Sequence, residues 1–111
     1  MITTHVLDIA NGGPAVGVSV ILEVRGTDDW RPVGRGVTDA QGRVTTLVEG
    51  RALDPGTYAL TFDVGTYQRR RGVSAPFFPE ARIVFSVRDP AEHYHVPLVI
   101  SPFGYSTYRG T

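Results

Sequence analysis

The 111-residue chain has no cysteine and no lysine. Without cysteine there are no disulfides, no thiolate nucleophiles and no zinc-ribbon ligands. Without lysine there is no Schiff-base chemistry, and all eleven basic residues are arginine. Charge of one sign is also lacking: eleven acidic residues balance the eleven arginines. A surface that tracks phosphates needs a basic excess, so no nucleic acid partner is expected. Long apolar runs are missing as well. The stretch Val18–Leu22, already broken by Ser19, is far too short to cross a bilayer, and no membrane partner is expected. The start, Met1-Ile2-Thr3-Thr4-His5, is not a basic segment leading into an apolar one, and Arg109-Gly110-Thr111 is not a peroxisomal tripeptide. A cytoplasmic location is the default expectation, with a periplasmic one equally compatible with the absence of cysteine. No Gly-x-Ser-x-Gly elbow, phosphate loop, His-Glu-x-x-His pair or dinucleotide fingerprint occurs.

What is present is a globular composition: 41% apolar, 10% aromatic and 20% charged. The length fits one domain over residues 1–111, large enough to bury a core without cross-links. The dominant period is two. Val16, Val18, Val20, Leu22 and Val24 alternate with more polar or small neighbours, as do Tyr58, Leu60, Phe62 and Val64, then Ile83, Phe85 and Val87, then Tyr94, Val96, Leu98 and Ile100. Pro97 lacks an N–H, which predicts a sheet edge or a bulge at that point. Between the runs lie Asn11-Gly12-Gly13-Pro14, Thr27-Asp28-Asp29, Asp39-Ala40-Gln41-Gly42 and Asp54-Pro55-Gly56, all turn formers. Short strands separated by such turns predict an all-β antiparallel sandwich of two sheets. One short helix is expected around Thr66–Arg71, stopped by Gly72.

The chemistry rests on three histidines. His93 and His95 flank Tyr94, so an extended chain points both to one face. His5 lies in the first strand candidate. Imidazole is the side chain that exchanges protons near neutrality. Three imidazoles could also serve a zinc ion, although the spacing is not diagnostic. Arg69-Arg70-Arg71 reads as a solvated helix face. Arg43 follows the Asp39–Gly42 turn and opens a strand, where a planar guanidinium can fork onto the carbonyls of a flat ligand or pair with a neighbouring carboxylate. Tyr105, Tyr108 and Arg109 make the C-terminal tail too rich in large side chains to be left loose, and a docked tail is expected.

Three stretches carry a resemblance over the whole chain: Thr4-His5-Val6-Leu7-Asp8 with Gly13-Pro14-Ala15, Thr38-Asp39-Ala40-Gln41-Gly42-Arg43, and the closing run from His93 to Thr111. Together they resemble the 5-hydroxyisourate hydrolases, the enzymatic branch of the transthyretin family. The Tyr108-Arg109-Gly110-Thr111 tail resembles the ending of these hydrolases and differs from that of the hormone carriers. Thr111 stands where Ser is usual, keeping the hydroxyl. The resemblance implies an eight-stranded sandwich that pairs into dimers and then a homotetramer, with sites in the channel between dimers. It implies hydrolysis of the cyclic amide of 5-hydroxyisourate, a small-molecule substrate, without metal or other cofactor. It maps catalytic roles onto His5, Arg43 and His95, and substrate binding onto His5, Arg43, Tyr108, Arg109 and Thr111, leaving His93 aside. Either His5 or His95 would serve as the base. The alternative is a transthyretin-like carrier of a small aromatic ligand in the same channel.

Overall fold

The computed structural model describes residues 1–50 and 52–111. Two sheets face each other. The first has the order β2 (Gly13–Pro14), β1 (Ile2–Asp8), β8 (Tyr94–Ser101), β9 (Gly104–Thr107), with the two-residue β5 (Arg43–Val44) also paired to β1. The second runs β4 (Trp30–Val37), β3 (Ser19–Arg25), β6 (Gly56–Phe62), β7 (Ala81–Val87). The described residues thus form nine strands rather than eight, two of them only two residues long. The sandwich is also not wholly antiparallel. β1 and β8 run parallel in register from Ile2↔Tyr94 to Asp8↔Ile100. They lie at opposite ends of the chain, so the intervening second sheet supplies the long crossover that a parallel pair requires.

Most of the alternation read from the sequence is the core, except that Val16 is exposed and precedes β3, and Val24, Ile83 and Phe85 are only partly buried. Val20 and Leu22 of β3, Leu60 and Phe62 of β6, and Leu98 and Ile100 of β8 are buried, together with Ile2 and Val6 of β1. Each such side chain contributes about 1.5–3 kcal/mol relative to exposure. β4 shows no such alternation because it is an edge strand carrying Pro32, Gly34 and Gly36 opposite a bulge at Leu22/Glu23. Its glycines are steric: a Cβ on Gly34 would fall on the Leu47 carbonyl, and one on Gly36 would come within 2.6 Å of Val44 Cγ1.

The helix, α1, spans Val64–Arg70, two residues earlier at its start than expected. Asp63 caps it through the Thr66 N–H. Arg69, Arg70 and Arg71 are exposed, as a solvated face should be, and Arg70 donates to the Gly17 carbonyl. Pro97 is not on an edge strand, since β8 is flanked by β1 and β9. Its carbonyl accepts from the Thr107 hydroxyl, so its nitrogen faces the β9 side. There the ladder breaks between Leu98↔Thr107 and His95↔Gly110. The missing donor falls in that gap.

Candidate active site

The first sheet has an inner face of Ile2, Thr4, Val6, Tyr94, Val96 and Leu98, and an outer face built from the alternate residues. Register decides what meets on the outer face. β1 places His5 between Arg43 of β5 and Pro97 of β8, and places Thr3 beside His95. His5, Arg43 and His95, which come from three separate stretches of sequence, are thereby brought onto one patch of sheet. His5 and His95 are half-buried and Arg43 is exposed.

The turn before β5 explains why Arg43 and His5 are held. The Asp39 carboxylate accepts from the backbone N–H groups of Gln41 and Arg43, at 2.9 and 3.0 Å. Its pKa is lowered, first by the Arg43 N–H bond and then by that of Gln41 and the positive charge of Arg43, against the opposing effect of desolvation. Gly42 closes the turn at φ +79°, where a Cβ would lie 2.6 Å from the Val6 carbonyl oxygen. The turn thereby aims the Gln41 carbonyl at His5, whose Nε2 is 2.8 Å away. A carbonyl only accepts, so Nε2 carries the proton and a neutral His5 has Nδ1 as its acceptor.

His95 is held differently. Its Nδ1 lies 2.8 Å from the Thr3 hydroxyl, which is also 2.8 Å from His93 Nε2. Burial lowers the His95 pKa, with further lowering from the positive Arg43 and from His93 and His5. The imidazole is therefore neutral at physiological pH and able to accept a proton. Thr3 joins the two histidines only through the β1/β8 register, although period two does place Thr3 and His5 on one face.

The tail is docked, as expected from its large residues. Gly110 N–H donates to the His95 carbonyl at 2.8 Å, and a Cβ at Gly110 would meet His95 Cδ2 at 2.6 Å. Only glycine lets the tail lie against that ring. Arg109 is not brought to the histidine patch. Its guanidinium sits 4.7 Å from the centre of the Tyr94 ring and 3.8 Å from Glu92, on the other side of β8. Tyr108 and Thr111 are exposed. A cleft of about 250 Å³ between the sheets, lined by Ile83, Phe85, Tyr94, Val96, Tyr108 and Arg109 among others, contains no histidine or carboxylate. It offers no base for hydrolysis. Among the described residues, no three His, Cys, Asp or Glu side chains gather as a metal-ligand set.

Residues 2–110 match the model of the HIUase/Transthyretin family. The chain belongs to that family. Within it, the chain is 48% identical to a 5-hydroxyisourate hydrolase of Deinococcus radiodurans, covering 99% of this chain and 95% of the relative. The solved 5-hydroxyisourate hydrolase of Klebsiella pneumoniae superposes with a TM-score of 0.86 at 39% identity, over 99% of this chain and 97% of that one. Sea bream transthyretin, solved in complex with thyroxine, gives 0.90 at 32% identity, over 99% and 94%. The family's fold therefore does not separate hydrolase from carrier, and the residues of the outer face must do so.

Proposed function

We propose that this protein is a 5-hydroxyisourate hydrolase of urate degradation, and that the outer-face patch of the first sheet is its active site. The observation that carries the reading is the convergence of His5, Arg43 and a neutral His95 on one patch. Hydrolysis of a ring amide needs a group to take a proton from water and a cation near the carbonyl oxygen as it becomes negative. His95 is the base: burial keeps it neutral, and its Nε2 has no hydrogen-bond partner among the described residues. His5, anchored by Gln41, presents Nδ1 to orient the water or the substrate's N–H edge. Arg43 binds the substrate carbonyls and steadies the oxyanion. The proton taken by His95 passes to the leaving ring nitrogen, and the new carboxyl group loses its own proton to solvent. The product is 2-oxo-4-hydroxy-4-carboxy-5-ureidoimidazoline. No metal takes part, so turnover is unchanged after treatment with a chelator.

The patch is an open sheet surface, whereas small-molecule sites are concave. A second copy must supply the opposite wall, which supports a homotetramer built as a dimer of dimers. Tyr108 and Thr111 then shape the pocket. Arg109, with its guanidinium held at Tyr94 and Glu92, serves the site by fixing the tail. A cytoplasmic location remains part of the proposal, and cell fractionation is its check.

The test compares variants in an ultraviolet assay of the substrate's disappearance. His95→Asn lowers kcat by about 10²–10⁴-fold, the usual contribution of a general base, while the assembly persists. Normal turnover in that variant would remove His95 from the mechanism. The shared fold leaves one other reading, a carrier of a small aromatic ligand. A carrier binds stoichiometrically without turnover, and its pocket would be mostly apolar, unlike this patch.

A further inference from the structure

The Thr3 hydroxyl touches both His93 and His95. Thr3 is 5% exposed, and its Oγ1 lies 2.8 Å from His93 Nε2 and 2.8 Å from His95 Nδ1. A hydroxyl has one proton to give, so it cannot donate to both rings. When both rings are neutral, two arrangements direct the hydroxyl proton to one of them. In one, Thr3 donates to His95 Nδ1 and accepts from His93 Nε2–H; the His95 proton then sits on Nε2, and that nitrogen cannot act as a base. In the other, His95 Nδ1–H donates to Thr3, and Thr3 donates to His93 Nε2. His95 Nε2 is then a free lone pair on the open face. Only an Nδ1–H tautomer leaves the outward-facing nitrogen of His95 able to take a proton from water.

We propose that Thr3 and His93 are positioning residues for the hydrolysis, holding His95 as the Nδ1–H tautomer through the chain His95 Nδ1–H to Thr3 Oγ1, then Thr3 O–H to His93 Nε2. The inference deepens the proposed function and rests on its assignment of His95 as the base. His93 is exposed, and it acts through Thr3 as the final acceptor. The groups facing this chain are His5 and Thr3 from β1, Arg43 from β5, and Gly110 of the tail, which lies against the His95 ring. Arg43 and His5 act on the charge of His95. Neither makes a hydrogen bond to its Nδ1 among the described residues, so the tautomer is set by Thr3 and His93.

The chain makes paired demands on chemistry. Position 3 needs a hydroxyl, and position 93 needs an acceptor at the place of Nε2. Thr3→Val removes the hydroxyl at nearly constant volume and lowers kcat about tenfold, the factor set by one ordinary hydrogen bond's worth of tautomer preference, with KM little changed. Thr3→Ser restores most of the rate. His93→Gln keeps an acceptor oxygen near the Nε2 position and stays within about threefold of the parent, whereas His93→Leu falls with Thr3→Val.

The direct readout is nitrogen-15 NMR of the imidazoles in the full-length protein, which reports which nitrogen of His95 carries the proton. The expected result is an Nδ1–H tautomer in the parent and a shift toward Nε2–H in Thr3→Val and His93→Leu. An Nε2–H tautomer in the parent, or parental kcat in both of those variants, overturns the proposal. If Thr3→Val does not fold, the His93→Gln and His93→Leu pair decides the matter alone. A parent protein with no hydrolase activity at all would refute the functional reading instead, and the NMR result would still judge the tautomer.

Discussion

At the scale of single residues, His95 and Arg43 are coupled through charge, and their variants separate that charge from shape. In the proposed mechanism His95 can accept a proton only when neutral. Burial, Arg43, His93 and His5 all lower its pKa, so the rate is full at neutral pH and falls only as pH drops through that lowered value. The acid limb of the kcat profile is therefore expected below the ordinary histidine value of about 6.5. Arg43→Gln removes a positive neighbour and moves the limb upward. Arg43→Lys keeps the charge and leaves the limb in place, yet lowers kcat by about tenfold or more because an ammonium cannot fork onto two oxygens. A pH–rate series on the three proteins checks this; a limb that stays put in Arg43→Gln would uncouple the two groups. Residue type singled out the three histidines and Arg43 as candidates, and the family resemblance narrowed them to His5, Arg43 and His95. It set His93 aside and did not find Thr3, because a threonine in a strand signals nothing. Its contact depends on the pairing of segments about ninety positions apart.

At the scale of elements, the Asp39–Arg43 turn holds two of the proposed site residues, His5 and Arg43. It delivers the Gln41 carbonyl to His5 and starts the two-residue strand that carries Arg43. Asp39→Ala deletes the acceptor for two backbone N–H groups in an exposed loop. The expected outcome is a several-fold lower kcat with little loss of melting temperature, measured by the same assay and by thermal denaturation. Gly42→Ala is harsher, since it forces a side chain into φ +79° against the Val6 carbonyl. It is expected to cost about 1–3 kcal/mol in denaturant unfolding. A stability equal to the parent's would mean the turn can take another shape.

This turn was legible in the sequence because Asp, Gly and the flanking strand residues each have local reasons to be there. β4 and β9 were not legible. The first is an edge strand broken by proline and glycine, and the second is a short strand reading Gly-Tyr-Ser-Thr without apolar alternation. The parallel pairing of β1 with β8 was also out of reach, since nothing local encodes the direction of a partner so distant in sequence.

At the scale of the whole molecule, the sandwich is a platform that leaves the proposed site on an outer face. Local patterning specified much of the two-sheet core because apolar residues alternate along β3, β6, β7 and β8. The assembly that would enclose the patch lies beyond any such local pattern. Sedimentation is expected to give the mass of four 12.1-kDa chains, and dissociation into smaller species should lower activity per chain because the patch then loses its facing wall. Full activity in a monomer would show that the patch needs no partner. The most direct test of the account is the ultraviolet absorbance of 5-hydroxyisourate generated in place from urate by urate oxidase, followed with and without the parent protein. The expected result is disappearance of the intermediate at a rate proportional to protein concentration. Decay no faster than the spontaneous reaction would contradict it and leave the carrier reading in its place.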